Sequence, residues 1–204
     1  MRLFHYHLVT RRIRDVEARY IAKLGFGLVA RYGRIGDEQT YFEAGVPWDE
    51  LDRLGFRLRL SELERGAVNV VVQPGQWDLP RIDHVGFALD EDEFIDVMER
   101  AQRMELRVQE YPGRRTFVAT GAGYRVEVHP RDRTWIEDLL AESETMRLAG
   151  IRLKSEAPAA QASALAQLLD CVLDDHRVKV GNAFVHFVEG GPPGRPQLDG
   201  ELFG

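Results

Sequence analysis

The sequence predicts an α+β protein: paired βαβββ modules forming a curved mixed sheet around a cleft, plus a truncated third β-α-β-β unit. Three observations carry that prediction. Two distant stretches, Leu3 to Val9 and Arg81 to Asp90, alternate like strands, and each sets a histidine on the face opposite its bulky apolar residues. Each is followed by apolar residues at helical spacing, and each unit then ends in a β-rich run closed by proline.

In the first strand, Phe4, Tyr6 and Leu8 share one face, and His5, His7 and Val9 share the other. The apolar face calls for a helix, and Ile13 to Leu24 supplies one, with Ile13, Val16, Tyr20 and Leu24 on a stripe and Gly25 as its stop. Strands are expected at Leu28 to Tyr32 and Thr40 to Ala44. Pro47 to Leu63 begins as helix or loop and then alternates from Phe56 to Leu60, and Val68 to Val72 is a β-rich run stopped by Pro74-Gly75.

The second unit repeats this order. Asp83, Val85, Phe87 and Leu89 fall on one face of its first strand, and His84, Gly86 and Ala88 on the other. Asp90 and Glu93 have capping-box spacing, and Phe94, Val97, Met98 and Ala101 form a helical stripe. Strands at Arg107 to Glu110, Arg115 to Ala119 and Tyr124 to His129 are separated by Pro112-Gly113 and Gly121-Ala122-Gly123. A connecting helix is expected over Arg131 to Met146, with Trp135, Ile136, Leu139 and Leu140 apolar. The third unit has strands at Leu148 to Leu153, Arg177 to Val180 and Ala183 to Val188, with a helix from Ala159 to Leu169. The Gly- and Pro-rich tail reads as loosely held. The boundaries that follow are 1–75, 81–130, 131–147, 148–190 and 191–204.

Composition narrows the function. The chain has 204 residues, 44% hydrophobic and 29% charged, as in ordinary globular proteins. A net charge of −6 gives nucleic acid or an anionic membrane no electrostatic reason to bind. The short basic pairs Arg11-Arg12 and Arg114-Arg115 sit among acids and do not change that. Neither a membrane-length apolar run nor a signal-peptide core is evident. The single Cys171, read as a small buried side chain rather than a nucleophile, fits a reducing cytoplasm.

Chemistry enters through the histidines. His5 and His84 occupy equivalent places on helix-free faces, which line one cavity if the two sheets curve together. On the closing strand Tyr124, Val126 and Val128 face the helix, so Arg125, Glu127 and His129 face that cavity. Singly, a strand histidine is more often a hydrogen-bonded core residue than a ligand. Equivalent positions in repeated units favour His5, His84 and Glu127 as ligands of a divalent metal. His7 and His129 lie two residues from those ligands and are placed for general acid–base work, a rim or hydrogen-bonding role being the plainer reading. Arg125 is a candidate for a substrate carboxylate, a strand-edge role being equally open.

The residues Met1-Arg2-Leu3-Phe4-His5, with Tyr20 and Leu24-Gly25-Phe26 at the expected distance, resemble the start of a glyoxalase I-type module. Ile82-Asp83-His84-Val85 and Tyr124-Arg125-Val126-Glu127-Val128-His129-Pro130 resemble the first and last strands of another. These marks are similar to those of the vicinal oxygen chelate superfamily, which includes glyoxalases, extradiol dioxygenases and bleomycin resistance proteins. The resemblance covers residues 1–130, and 148–189 more weakly. It implies a U-shaped sheet around a divalent metal (Fe, Mn, Ni or Zn) held by His5, His84 and Glu127, and a small-molecule substrate that chelates it.

One departure bears on chemistry. Glyoxalase I-type members carry a fourth ligand opposite Glu127, where this chain has Val71; a shifted register would offer Asn69 or Gln73. Two histidines and one carboxylate leave positions open on iron(II) or manganese(II), the set that extradiol dioxygenases use. The third unit offers His186 on its closing strand but Leu148 where a histidine is needed, and reads as filler or interface. With no internal partner it is open to packing against the first two units or forming a homodimer. A metal-free protein sequestering a small ligand in the same cleft is the competing function.

Overall fold

The computed structural model describes residues 1–111, 115–130, 134–141 and 146–204, with side chains from 136 in the fourth helix. The expected turn at Pro112-Gly113, Arg114, and the Trp135 side chain lie outside the described residues. The first unit runs β1 (Arg2–Thr10), α1 (Ile13–Leu24), β2 (Gly27–Ile35), β3 (Glu38–Glu43), α2 (Trp48–Arg53), β4 (Phe56–Arg65) and β5 (Val68–Pro74). The second runs β6 (Arg81–Leu89), α3 (Glu91–Arg103), β7 (Val108–Tyr111), β8 (Arg115–Ala119) and β9 (Arg125–Pro130). α4 (Thr134–Ala141) occupies part of the expected connecting helix, of which 131–133 and 142–145 lie outside the described residues. The third unit runs β10 (Leu148–Lys154), α5 (Pro158–Leu169), the two-residue β11 (Leu173–Asp174), β12 (Arg177–Val180) and β13 (Ala183–Val188), and the chain ends in β14 (Gln197–Phe203).

The fourteen strands among the described residues join one curved, unclosed mixed sheet. Its centre is the antiparallel pair β1–β6, from which β5, β4, β2 and β3 extend to one side and β9, β8 and β7 to the other. In both units the first and last strands are parallel neighbours, which needs a crossover, and α1 and α3 provide it. The expected punctuation operates. Gly25 takes φ 70° and the Phe26 N–H reaches the Tyr20 carbonyl at 3.0 Å, ending α1. Asp90 and Glu93 exchange both capping-box hydrogen bonds at 2.9 Å, starting α3. No helix among the described residues is long and apolar enough to cross a membrane.

Strict alternation fails at two places on the central pair. Leu3 faces Phe87 and His5 faces Gly86, leaving Phe4 as an extra residue; His7 faces His84 and Leu8 faces Ile82, leaving Asp83 as another. Each is a β-bulge, which turns two consecutive side chains toward one face. Phe4 therefore does not share the face of Tyr6 and Leu8, as expected from parity. It packs with Ala88, Ile136 and Leu139 beneath α4, while Leu3 takes the core position beside Tyr6 and Leu8. Asp83 likewise leaves the face of Val85, Phe87 and Leu89 to Ile82.

The tail departs from its expected looseness. β14 pairs antiparallel with β10 through the same two irregularities, between Leu148 and Gly150 and between Arg152 and Leu153, so β10–β14 copies β1–β6. In that register Gly150, not Leu148, is the counterpart of His5, and Gly200 is that of His84. No histidine stands at either place. β14 is also tied to the first unit. Glu201, its side chain 4% exposed, accepts a bidentate pair from Arg19 (3.0 Å each) and a hydrogen bond from Tyr20, whose hydroxyl lies 2.8 Å from that of Tyr6. Replacing Glu201 by Ala should destabilise the protein by about 1–3 kcal/mol, the range for a charged hydrogen bond lost from a buried network. Urea unfolding measures it, and an unchanged midpoint would show that β14 is not held by this contact.

Candidate metal centre

Four of the chain's six histidines lie together on the concave side of the central pair, with Glu127 from β9 among them. His5 Nε2 is 3.0 Å from His84 Nε2 and 3.7 Å from Glu127 Oε2, and His84 Nε2 is 2.6 Å from the same oxygen. Donor atoms sharing an ion at bonds of about 2.0–2.2 Å stand roughly 3 Å apart, so these separations suit a common centre. All three groups are buried. Gly86, directly across the ladder from His5, provides the clearance: a Cβ there would lie 2.8 Å from the His5 Cβ and 2.9 Å from its Cδ2.

The second hydrogen-bonding partner of each group fixes which atom is free to coordinate. Asn69 directs its Nδ2 at Glu62 and Glu64, 2.9 Å each, so its Oδ1 faces His5 Nδ1 at 2.6 Å and that nitrogen carries the proton. His84 Nδ1 is 2.9 Å from Asp83 Oδ2, which assigns it a proton by the same logic. Both imidazoles therefore present Nε2 lone pairs to one point. Glu127 takes its own orientation from His129, whose Nε2 donates to Oε1 at 2.6 Å, leaving Oε2 toward the imidazoles. Three electron pairs from three separate strands meet at one point, and a divalent ion fits that donor set.

Burial and the charge balance set the protonation states. Burial pulls His5 down to about 4, against the opposing pull of Glu127, and it pulls His7 well below its usual value, with His84 and His5 adding to the shift. Burial alone would raise the Glu127 carboxyl, but the hydrogen bond from His129 and the closeness of the His5 and His84 rings hold it well below the ordinary carboxylate range. Asp83 is depressed for related reasons: burial would raise it, and His84 and Arg125 outweigh that.

The other expected site residues fall as follows. Arg125 ion-pairs with Asp83 and lies 4.3 Å over the Phe117 ring, so its guanidinium is held by the carboxylate that orients His84. His129 is buried, with Nε2 committed to Glu127. His7 is buried on the same face, and one ring nitrogen from each of His5, His7 and His84 falls within 4.8 Å of the others. Val71 pairs with His7 across β1–β5 and lines a cavity of about 250 Å³ together with His5, Asn69, Glu127, Arg115 and Tyr32, among others. Its side chain brings no donor. His186 lies on the third unit's sheet among Arg152 and Arg177, away from this centre.

Sequence reasoning missed three contributors. Asp83 was assigned to the opposite face because a bulge is invisible to parity. Asn69 appeared only as a poor ligand, whereas it orients one. Arg195, from the Gly- and Pro-rich segment, pairs with Asp83 at 2.7 Å, and no local signal links positions 83 and 195.

Two expected outcomes follow from this geometry. Gly86→Ala should push the His5 ring aside and destabilise the fold by about 1–3 kcal/mol, as overpacking does, with a loss of metal affinity that equilibrium dialysis measures. In chelator-treated protein, stability should fall as pH drops from 7 to 4. The unfolded histidine takes its proton near 6.5 and folded His5 only near 4, so the unfolded state binds more protons in that window. Below about 4.5, Glu127 adds to the loss. A melting temperature independent of pH across this range would contradict it.

No family model and no curated protein sequence matches the chain. Solved structures do. A variant of 4-hydroxymandelate synthase from Streptomyces coelicolor shares 14% identity over 99% of this chain and 70% of its own, with a TM-score of 0.64. A Mn(II)-bound glyoxalase from Novosphingobium aromaticivorans shares 14% over 97% of this chain and 63% of its own, with a TM-score of 0.53. A variant of homoprotocatechuate 2,3-dioxygenase from B. fuscum shares 14% over 100% of this chain and 56% of its own, with a TM-score of 0.60. The chain thus spans between 56% and 70% of the length of these proteins, and at such identity the likeness concerns the fold. All three are members of the vicinal oxygen chelate superfamily, and this chain has that superfamily's fold.

Proposed function

We propose that the protein is a metal-dependent enzyme of glyoxalase or dioxygenase type acting on a small substrate that chelates the metal through two oxygens. The observation that carries this reading is the meeting of His5 Nε2, His84 Nε2 and Glu127 Oε2, each aimed by its own buried hydrogen-bond partner. These three residues would hold the ion. When bound, a divalent metal supplies Lewis acidity toward substrate oxygens.

The chain's own residues do the rest. Asn69, Asp83 and His129 keep the donor atoms in place, so little reorganisation is needed when charge develops at the centre. Val71 leaves the cavity side of the centre without a protein donor and gives a substrate an apolar wall. Arg125, held on Asp83, supports His84 rather than reaching into the cavity. Arg115, 3.8 Å from Glu127 Oε1, and Arg59 both line the cavity and are cations placed to meet a substrate anion. Tyr32 stands across the same cavity and stacks on Tyr41, with ring centroids 5.9 Å apart, which suits a flat substrate.

Metal analysis of the purified protein tests the reading. About one equivalent of iron, manganese, nickel or zinc is expected, and His84→Ala should lose it, as removal of a ligand does. Protein that is reproducibly empty yet binds an apolar ligand would overturn the enzyme reading in favour of a sequestering protein of the same fold.

A further inference from the structure

We infer that His7 is a fourth protein donor to this centre, standing in from β1 for the ligand that Val71 fails to provide on β5. The inference rests on the proposed metal reading and adds to it the donor count and the class of ion. His7 and Val71 are direct partners in the parallel β1–β5 ladder, and Val71 faces the cavity. A donor lost from one strand is thus matched by one on its neighbour, at the same level of the sheet.

Three further observations point the same way. His5 and His7 are separated by one residue, and same-face neighbours on a strand are about 6.5–7 Å apart. Two imidazoles can close that gap on one ion between them. His7 Nε2 is buried without a hydrogen-bond partner among the described residues, in a site where Asn69, Asp83 and Glu127 each engage a neighbouring imidazole. One ring nitrogen each of His5, His7 and His84 lie within 4.8 Å of one another, and the His7 ring meets that of His84 edge-on at 4.7 Å.

The count has a chemical consequence. Three imidazoles and one carboxylate leave two positions on a six-coordinate ion, the number that a substrate chelating through two oxygens requires. The same set closes a four-coordinate ion such as zinc. Six-coordinate manganese, iron, cobalt or nickel is therefore the class that would keep room for the substrate.

Cobalt(II) loaded into the chelator-stripped protein is the probe. X-ray absorption should count three imidazoles in the unmodified protein and two in His7→Ala, and chelator competition should show cobalt binding weakened at least about 100-fold. Adding Val71→Glu to His7→Ala should recover affinity, since the new carboxylate faces the same point from β5. Two imidazoles in the unmodified protein overturn the inference, and this count needs no variant to fold. A His7→Ala protein with unchanged count and affinity also overturns it, while the three-residue centre would stand. Failure of the unmodified protein to bind cobalt would instead overturn the metal reading itself.

Discussion

The structure depends on the antiparallel seam between β1 and β6. A regular ladder there would alternate cleanly and place His84 alone on the concave face, with its Nδ1 directed at nothing. The bulge at Asp83 delivers His84 and the carboxylate that orients it from consecutive residues, because both side chains emerge on the same side. The bulge at Phe4 does the reciprocal service at the other end. It sends an aromatic ring onto the concave side, where it contacts His5 and His129 and seals the centre against α4. The seam and its neighbour β9 thus bring His5, His84 and Glu127 together in a buried, directional site built on strands alone.

From that seam the polar network runs outward through all three units. Asp83 balances its charge with Arg125 from β9 and Arg195 from the segment before β14. Tyr6, next to both histidines of β1 but facing the core, connects through Tyr20 to Glu201 on β14. The third unit has no histidine at the places equivalent to His5 and His84, so it carries no second centre of this kind. Through these contacts it is tied to both strands of the seam, to β1 by way of Tyr20 and Tyr6 and to β6 at Asp83. A buried cluster of imidazoles and carboxylates opposes folding unless its geometry is held, and here it is held on both sides.

Much of this was legible in the residues. The repeated order, the capping box at Asp90, the stop at Gly25 and the inward set His5, His84, Glu127 all follow from period and punctuation, which are local. Non-local effects were not legible. Parity cannot reveal a bulge, because the extra residue is defined by the partner strand. Nor can composition show that a Gly- and Pro-rich tail ends in a strand, since β14 owes its order to β10 and to Arg19 and Tyr20. The partners of Arg125 and His129 were not legible for the same reason. Both face inward as alternation requires, but what they meet there was fixed by Asp83 and Glu127.

The centre sets one demand against another. Burial drives the His5 and His7 imidazoles toward neutrality, while their partners keep Glu127 and Asp83 charged in a buried site, an arrangement that costs stability when nothing positive sits between the Nε2 atoms. Each positioning contact that sharpens the site for a cation also deepens that cost in its absence. Asn69 and Asp83 accept hydrogen bonds from the far nitrogens, which keeps the protons there and turns the lone pairs inward. Folding and ion binding are therefore linked through the same hydrogen bonds: an ion bound only by the folded chain contributes its binding free energy to stability. The extensive apolar core beneath β1, β5, β6 and β9 is what allows the chain to maintain so unfavourable a cluster, ready formed, on its other face.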